Sequence, residues 1–106
     1  MTEFVKVADL NEIKLGQRKI IEFEDVTVAL LNVKGEYFCI EDVCTHDGGP
    51  VAEGQLDGYS IECPRHGALF DIRDGRVLSM PAVVPMPTYE VRIEGNNILV
   101  ASPDEW

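Results

Sequence analysis

Apolar and polar positions alternate in short runs along most of this chain, and turn residues interrupt the runs every few positions. A period of two places successive side chains on opposite faces of a β-strand. Phe4-Val5-Lys6-Val7-Ala8 reads as a first strand, and Asp9 to Gln17 as a turn or a single helical turn. Ile20 to Phe23 is a second strand, Glu24-Asp25 turns the chain, and Val26 to Val33 is an apolar run that suits a buried strand. Lys34-Gly35 makes a hairpin turn into a returning strand, Glu36 to Glu41. Val51 to Asp57 is polar, Tyr59 to Glu62 is a short strand, and Ala68 to Ile72 alternates again. Asp74-Gly75 is a hairpin signal, with Val77-Leu78 returning. Ser79 to Pro87 carries Pro81, Pro85 and Pro87, which excludes a helix or a central strand. Thr88 to Glu94 places Tyr89, Val91 and Ile93 on one face, Gly95-Asn96-Asn97 turns, Ile98 to Ala101 closes the pattern, and Ser102 to Trp106 is a polar tail. Strands of four to seven residues between frequent turns predict an all-β antiparallel sandwich or barrel.

Composition narrows this reading. A chain of 106 residues makes one domain, 1–106, and 45% hydrophobic residues supply a core. The formal net charge of −10 excludes nucleic acid as a partner, because a phosphate backbone would repel it. The same charge fits docking to basic protein surfaces. No run approaches the roughly 18 apolar residues of a membrane span, so no membrane is expected. Met1-Thr2-Glu3-Phe4 lacks the basic and apolar regions of a signal peptide, which predicts a cytoplasmic protein.

The candidate chemistry sits in two loops. One reads Cys44-Thr45-His46-Asp47-Gly48-Gly49-Pro50, the other Cys63-Pro64-Arg65-His66-Gly67, with 16 residues between His46 and Cys63. Both of the chain's histidines and two of its three cysteines lie here. Cys-x-His requires a tight, non-helical turn, and Pro64 stiffens the wider Cys-x-x-His. Each loop is entered from a strand, so a compact insert from about 43 to 80 would carry the site. The four residues suit an iron–sulfur cluster, and they also make a zinc set, although Cys-x-His spacing is unusual for zinc. Cys39, left over in a strand, reads as a small hydrophobe, and a lone thiol suits a reducing compartment.

The pair Cys-x-His and Cys-x-x-His-Gly at this separation resembles the Rieske motif. The resemblance spans the chain and implies a Rieske-like antiparallel β-sandwich with a small cluster-binding subdomain. It implies one 2Fe-2S cluster, with Cys44 and Cys63 on an inner iron and His46 and His66 on an outer one. Two neutral imidazoles in place of two thiolates leave the oxidised centre near neutral, which raises its potential to a range of about −150 to +300 mV. High-potential members carry a disulfide where this chain has Gly49 and Arg65, and hydroxyl donors where it has Ala68 and Phe70. Fewer donors to sulfur predict a low-potential, ferredoxin-type centre. The family also implies that Met80-Pro81-Ala82 shields the cluster, and that the histidine side is the route for electrons. Asp47, Glu53 and Asp57 either steer a basic partner or merely solvate their loops.

The resemblance therefore implies a soluble, monomeric one-electron carrier, not an enzyme, working between a flavin-dependent reductase and a terminal non-heme iron oxygenase. No nucleotide-binding glycine pattern is present, and no further histidine remains for a second iron site. Two alternatives of another class are a non-catalytic small subunit of a nitrite reductase-like complex and an iron–sulfur assembly-associated Rieske protein. A redox sensor is a third.

Overall fold

The computed structural model describes residues 3–23, 26–42, 54–63, 67–80 and 85–101. Eleven antiparallel strands form three sheets among them. The first sheet has the order β1 (Phe4–Asp9), β11 (Asn97–Ala101), β10 (Val91–Glu94). The second has the order β2 (Arg18–Glu22), β3 (Thr27–Val33), β4 (Glu36–Glu41), β9 (Thr88–Tyr89). The third has the order β5 (Leu56–Asp57), β6 (Ser60–Glu62), β7 (Leu69–Asp71), β8 (Val77–Ser79). The architecture is all-β, as the alternation predicts, and no described helix is long and apolar enough to cross a membrane.

The second sheet is the middle layer. Val28 and Leu30 of β3, with Cys39 of β4, pack against Ala8, Ile98 and Val100 of the first sheet. Ala29, Leu31 and Val33, with Ile40, pack the other way, against Ile61, Phe70 and Ile72. β3 is thus buried on both faces, which is why its sequence runs apolar instead of alternating. Asn32 is its one buried polar residue. Its Nδ2 donates to the Ile13 carbonyl at 2.8 Å, and its Oδ1 accepts from Gly35 N–H at 3.1 Å. The β3–β4 turn is tight: Lys34 (φ 56°) and Gly35 (φ 88°) both take the left-handed conformation that a two-residue hairpin of the favoured hand requires.

Two details depart from the sequence reading. Thr88 to Glu94 is two strands, not one. Thr88 and Tyr89 pair with Ile40 and Cys39 in the second sheet, and Val91 onward pairs with β11 in the first. The chain changes sheets at Glu90. Consequently Tyr89 and Val91 pack on the core shared by the first two sheets, while Ile93 lies exposed at the far end of β10. The stretch read as polar ends in β5, whose Leu56 packs against the core beneath the third sheet. The stretch 10–17 forms turns, in keeping with the reading of a turn or a single helical turn. The Glu24-Asp25 turn and the Ser102–Trp106 tail lie outside the described residues.

Candidate metal centre

The second of the two loops springs from the β6–β7 hairpin, where Glu62 stands opposite Leu69. Beyond that pair, Cys63 N–H donates to the Ala68 carbonyl at 2.7 Å, and Gly67 N–H donates back to the Cys63 carbonyl at 3.0 Å. Gly67 takes a left-handed φ of 76°, which a side chain would resist. The Cys63 side chain points inward: the residue is 1% exposed and belongs to the same buried cluster as Ile61, Ala68 and Phe70. Glu62 reaches back beside Gly67, where an added Cβ would stand 3.5 Å from Glu62 Oε2.

The root of the first loop is held from two sides. Glu41 N–H donates to the Pro87 carbonyl at 3.0 Å, and Asp42 N–H to the Thr27 carbonyl at 2.8 Å. The Tyr89 hydroxyl donates to Glu41 Oε1 at 3.1 Å. Cys44, His46 and His66 lie outside the described residues, as do Gly48, Gly49, Asp47, Glu53, Arg65, Pro81 and Ala82. Met80, expected as part of a cover, is 78% exposed, and Asp57 is exposed at the end of β5. Among the described residues no group of three or more His, Cys, Asp or Glu converges.

The base of the third sheet carries a network that sequence reasoning missed. The Asp71 carboxylate is nearly buried, at 4%. It accepts from Arg73 Nε at 3.0 Å, from an Arg73 terminal nitrogen at 2.7 Å and from one of Arg76 at 3.3 Å. The hydrogen bonds from Arg73, outweighing the burial that opposes them, hold its pKa down to about 2. The Tyr59 ring lies between the Arg73 guanidinium and Lys34 Nζ, 4.5 and 5.0 Å from its centroid, and its hydroxyl donates to Glu36 at 2.9 Å. The hairpin is thereby tied to the β3–β4 turn. One turn further, Met86 N–H donates to the Gly75 carbonyl at 2.7 Å, and a Cβ on Gly75 would lie 1.8 Å from the Met86 carbonyl oxygen. The signal for this network was the run Asp71-Ile72-Arg73-Asp74-Gly75-Arg76, which places two arginines two and five residues after one aspartate around a turn.

The one described member of the set, Cys63, fits an iron–sulfur group. A buried sulfur at the mouth of a tight turn is a soft donor shielded from water. Its immediate neighbours Ala68 and Phe70 are fully buried and bring no polar atom of their own side chains to compete with a metal.

A family model described as the Rieske [2Fe-2S] domain matches residues 3–90. The biphenyl dioxygenase ferredoxin subunit of Pseudomonas sp. (strain KKS102) is 38% identical over 98 residues, covering 92% of this chain and 90% of that protein. The 3-phenylpropionate/cinnamic acid dioxygenase ferredoxin subunit of Escherichia coli (strain K12) is 39% identical over 99 residues with the same coverage. Among solved structures, the Sphingomonas yanoikuyae B1 ferredoxin superposes with a TM-score of 0.86 at 32% identity, covering 95% of this chain and 100% of that one. A chain from the complex of reduced oxygenase and oxidized ferredoxin in carbazole 1,9a-dioxygenase matches equally well, with a TM-score of 0.86 at 32% identity, covering 92% and 100%.

Proposed function

The chain belongs to the Rieske [2Fe-2S] domain family, and from that premise we propose that it serves as the ferredoxin of a ring-hydroxylating dioxygenase system. In this role it accepts one electron from a flavin-dependent reductase and hands it to a terminal oxygenase. The observation that carries this reading is likeness to dioxygenase ferredoxin subunits over nine-tenths of both chains. The oxygenase partner is supported by the carbazole dioxygenase complex, in which a ferredoxin of this fold meets its oxygenase.

One Rieske-type 2Fe-2S cluster supplies the one-electron chemistry when bound. Cys63 and Cys44 would hold its inner iron, and His46 and His66 its outer one. The inward sulfur of Cys63 supports this division, since a buried thiolate belongs with the iron further from solvent. Ala68 and Phe70 offer no hydroxyl to the cluster sulfurs, which leaves the reduced state less stabilised and the potential low within the family range. His46 and His66 would present the exit for electrons to the partner. The protein works as a monomer in the reducing cytoplasm, where the lone buried thiol of Cys39 stays free.

Elemental analysis with EPR of dithionite-reduced protein tests the reading. The expected result is two irons and two acid-labile sulfides per chain, with a Rieske signal that disappears in Cys63→Ser and His66→Ala. Absence of iron from freshly purified protein would overturn it. Copurification of a nitrite reductase or an assembly scaffold, in place of an oxygenase, would redirect the electron to another acceptor.

A further inference from the structure

Reduction adds one electron and no atoms to the centre that Cys63 would hold, so a fixed charge beside it biases the equilibrium. Glu62 is such a charge. Its backbone is fixed on two sides, by N–H donation to the Gln55 carbonyl at 3.0 Å and by pairing opposite Leu69. Its carboxylate lies beside Gly67, with Oε2 3.5 Å from where a Cβ on that glycine would stand. Glu62 thus directly precedes one proposed ligand, Cys63, in the chain, and its carboxylate lies beside Gly67, which directly follows another, His66. Among the described residues no cation pairs with it. Arg73 and Arg76, the described cations of the third sheet, are committed to Asp71 at the other end of β7. The neighbouring groove, about 270 Å³, is lined by Gln55, Asp57, Ser60, Glu62 and Leu69 and brings a second carboxylate instead of a neutralising base.

We propose that Glu62 sets the redox poise of this ferredoxin: its negative charge disfavours the reduced centre and holds the potential toward the low end of the Rieske range. This rests on the ligand assignment made above. It adds a cause distinct from the missing hydroxyl donors, because Glu62 acts through space and its influence follows charge, not hydrogen bonding. Half-buried and beside Gly67, it is screened only in part by water and salt.

Film voltammetry on the holoprotein tests the proposal with four variants. Glu62→Gln keeps the shape and removes the charge. The ratio of reduced to oxidised protein at fixed applied potential is expected to rise about three- to tenfold, the upper figure corresponding to about 59 mV for one electron. Glu62→Lys is expected to move the midpoint in the same direction by about twice as much, and Glu62→Asp to leave it near the parent value. Glu94→Gln, an exposed carboxylate at the end of β10 in the first sheet, is the control and should not move it. The Glu62→Gln shift should shrink as ionic strength rises. EPR of the reduced variants separates this proposal from the assignment beneath it. A parent-like signal with a parent-like midpoint in Glu62→Gln overturns the role of Glu62 and leaves the ligands standing. Equal shifts in Gln and Lys variants overturn it as well, since an effect indifferent to charge is structural.

Discussion

A buried alanine stands two positions from a buried phenylalanine, directly after the turn that Cys63 opens, and this absence of hydroxyls is open to direct test. Ala68→Ser places one donor beside Cys63. A net hydrogen bond of about 1.4 kcal/mol to the reduced centre corresponds to a midpoint raised by roughly 60 mV, readable by voltammetry. An unchanged midpoint would separate Ala68 from the cluster sulfurs. Cys39 makes a different prediction. It is 2% exposed, and burial pushes its thiol up to about 12. At pH 8 it is therefore protonated and inaccessible, so alkylation of the native protein should leave Cys39 unlabelled until denaturant is added, as peptide mass mapping would show. At this scale the proposed ligands stand out in the sequence because histidine is scarce here and both copies fall in patterned loops. Glu62 and Asp71 do not. In a chain with 19 acidic residues, nothing in the sequence distinguishes the carboxylate that reaches back beside a glycine, or the one that sinks beneath two arginines, from those that merely face water.

Elements carry their own constraints, and the β7–β8 connection is the most demanding. Gly75 has a left-handed φ of 81° and lies against the Met86 carbonyl. Gly75→Ala combines backbone strain with a clash that only main-chain movement relieves, and is expected to cost at least roughly 2 kcal/mol in urea unfolding. Asp71 gives the same connection a pH dependence. Its folded pKa of about 2 lies below the ordinary 3.8, so its contribution is complete above about pH 4 and is lost as pH falls toward 2. Because Arg73 and Arg76 are half-exposed or more, that contribution is about 1–2 kcal/mol after allowance for solvent. Asp71→Asn should lower stability at pH 7 and flatten its decline between pH 4 and 2. Unfolding curves of equal slope against pH would remove the linkage. Periodicity found most strands because alternating burial is a local property. It missed the change of sheet at Glu90, since alternation continues unbroken while the hydrogen-bond partners change, and pairing is decided by distant strands.

For the whole molecule, a net charge of −10 predicts that association with a basic partner surface slows as salt is added, with stopped-flow electron transfer to the oxygenase falling steeply between low and physiological ionic strength. Rates indifferent to salt would assign the acidic surface to solubility alone. The fold class was legible at this scale from strand length and the frequency of turns. The layering was not, because which sheet lies in the middle depends on what each face of β3 meets.

That strand has a final consequence for how the protein comes apart. A wall common to two rooms cannot be removed from one of them, so heat should find no partly dismantled state in which the hairpin that carries Cys63 has detached while the remaining sheets stand. Bleaching of the cluster colour and loss of far-ultraviolet circular dichroism should trace one curve. Bleaching at a clearly lower temperature would mean that the two compartments melt independently.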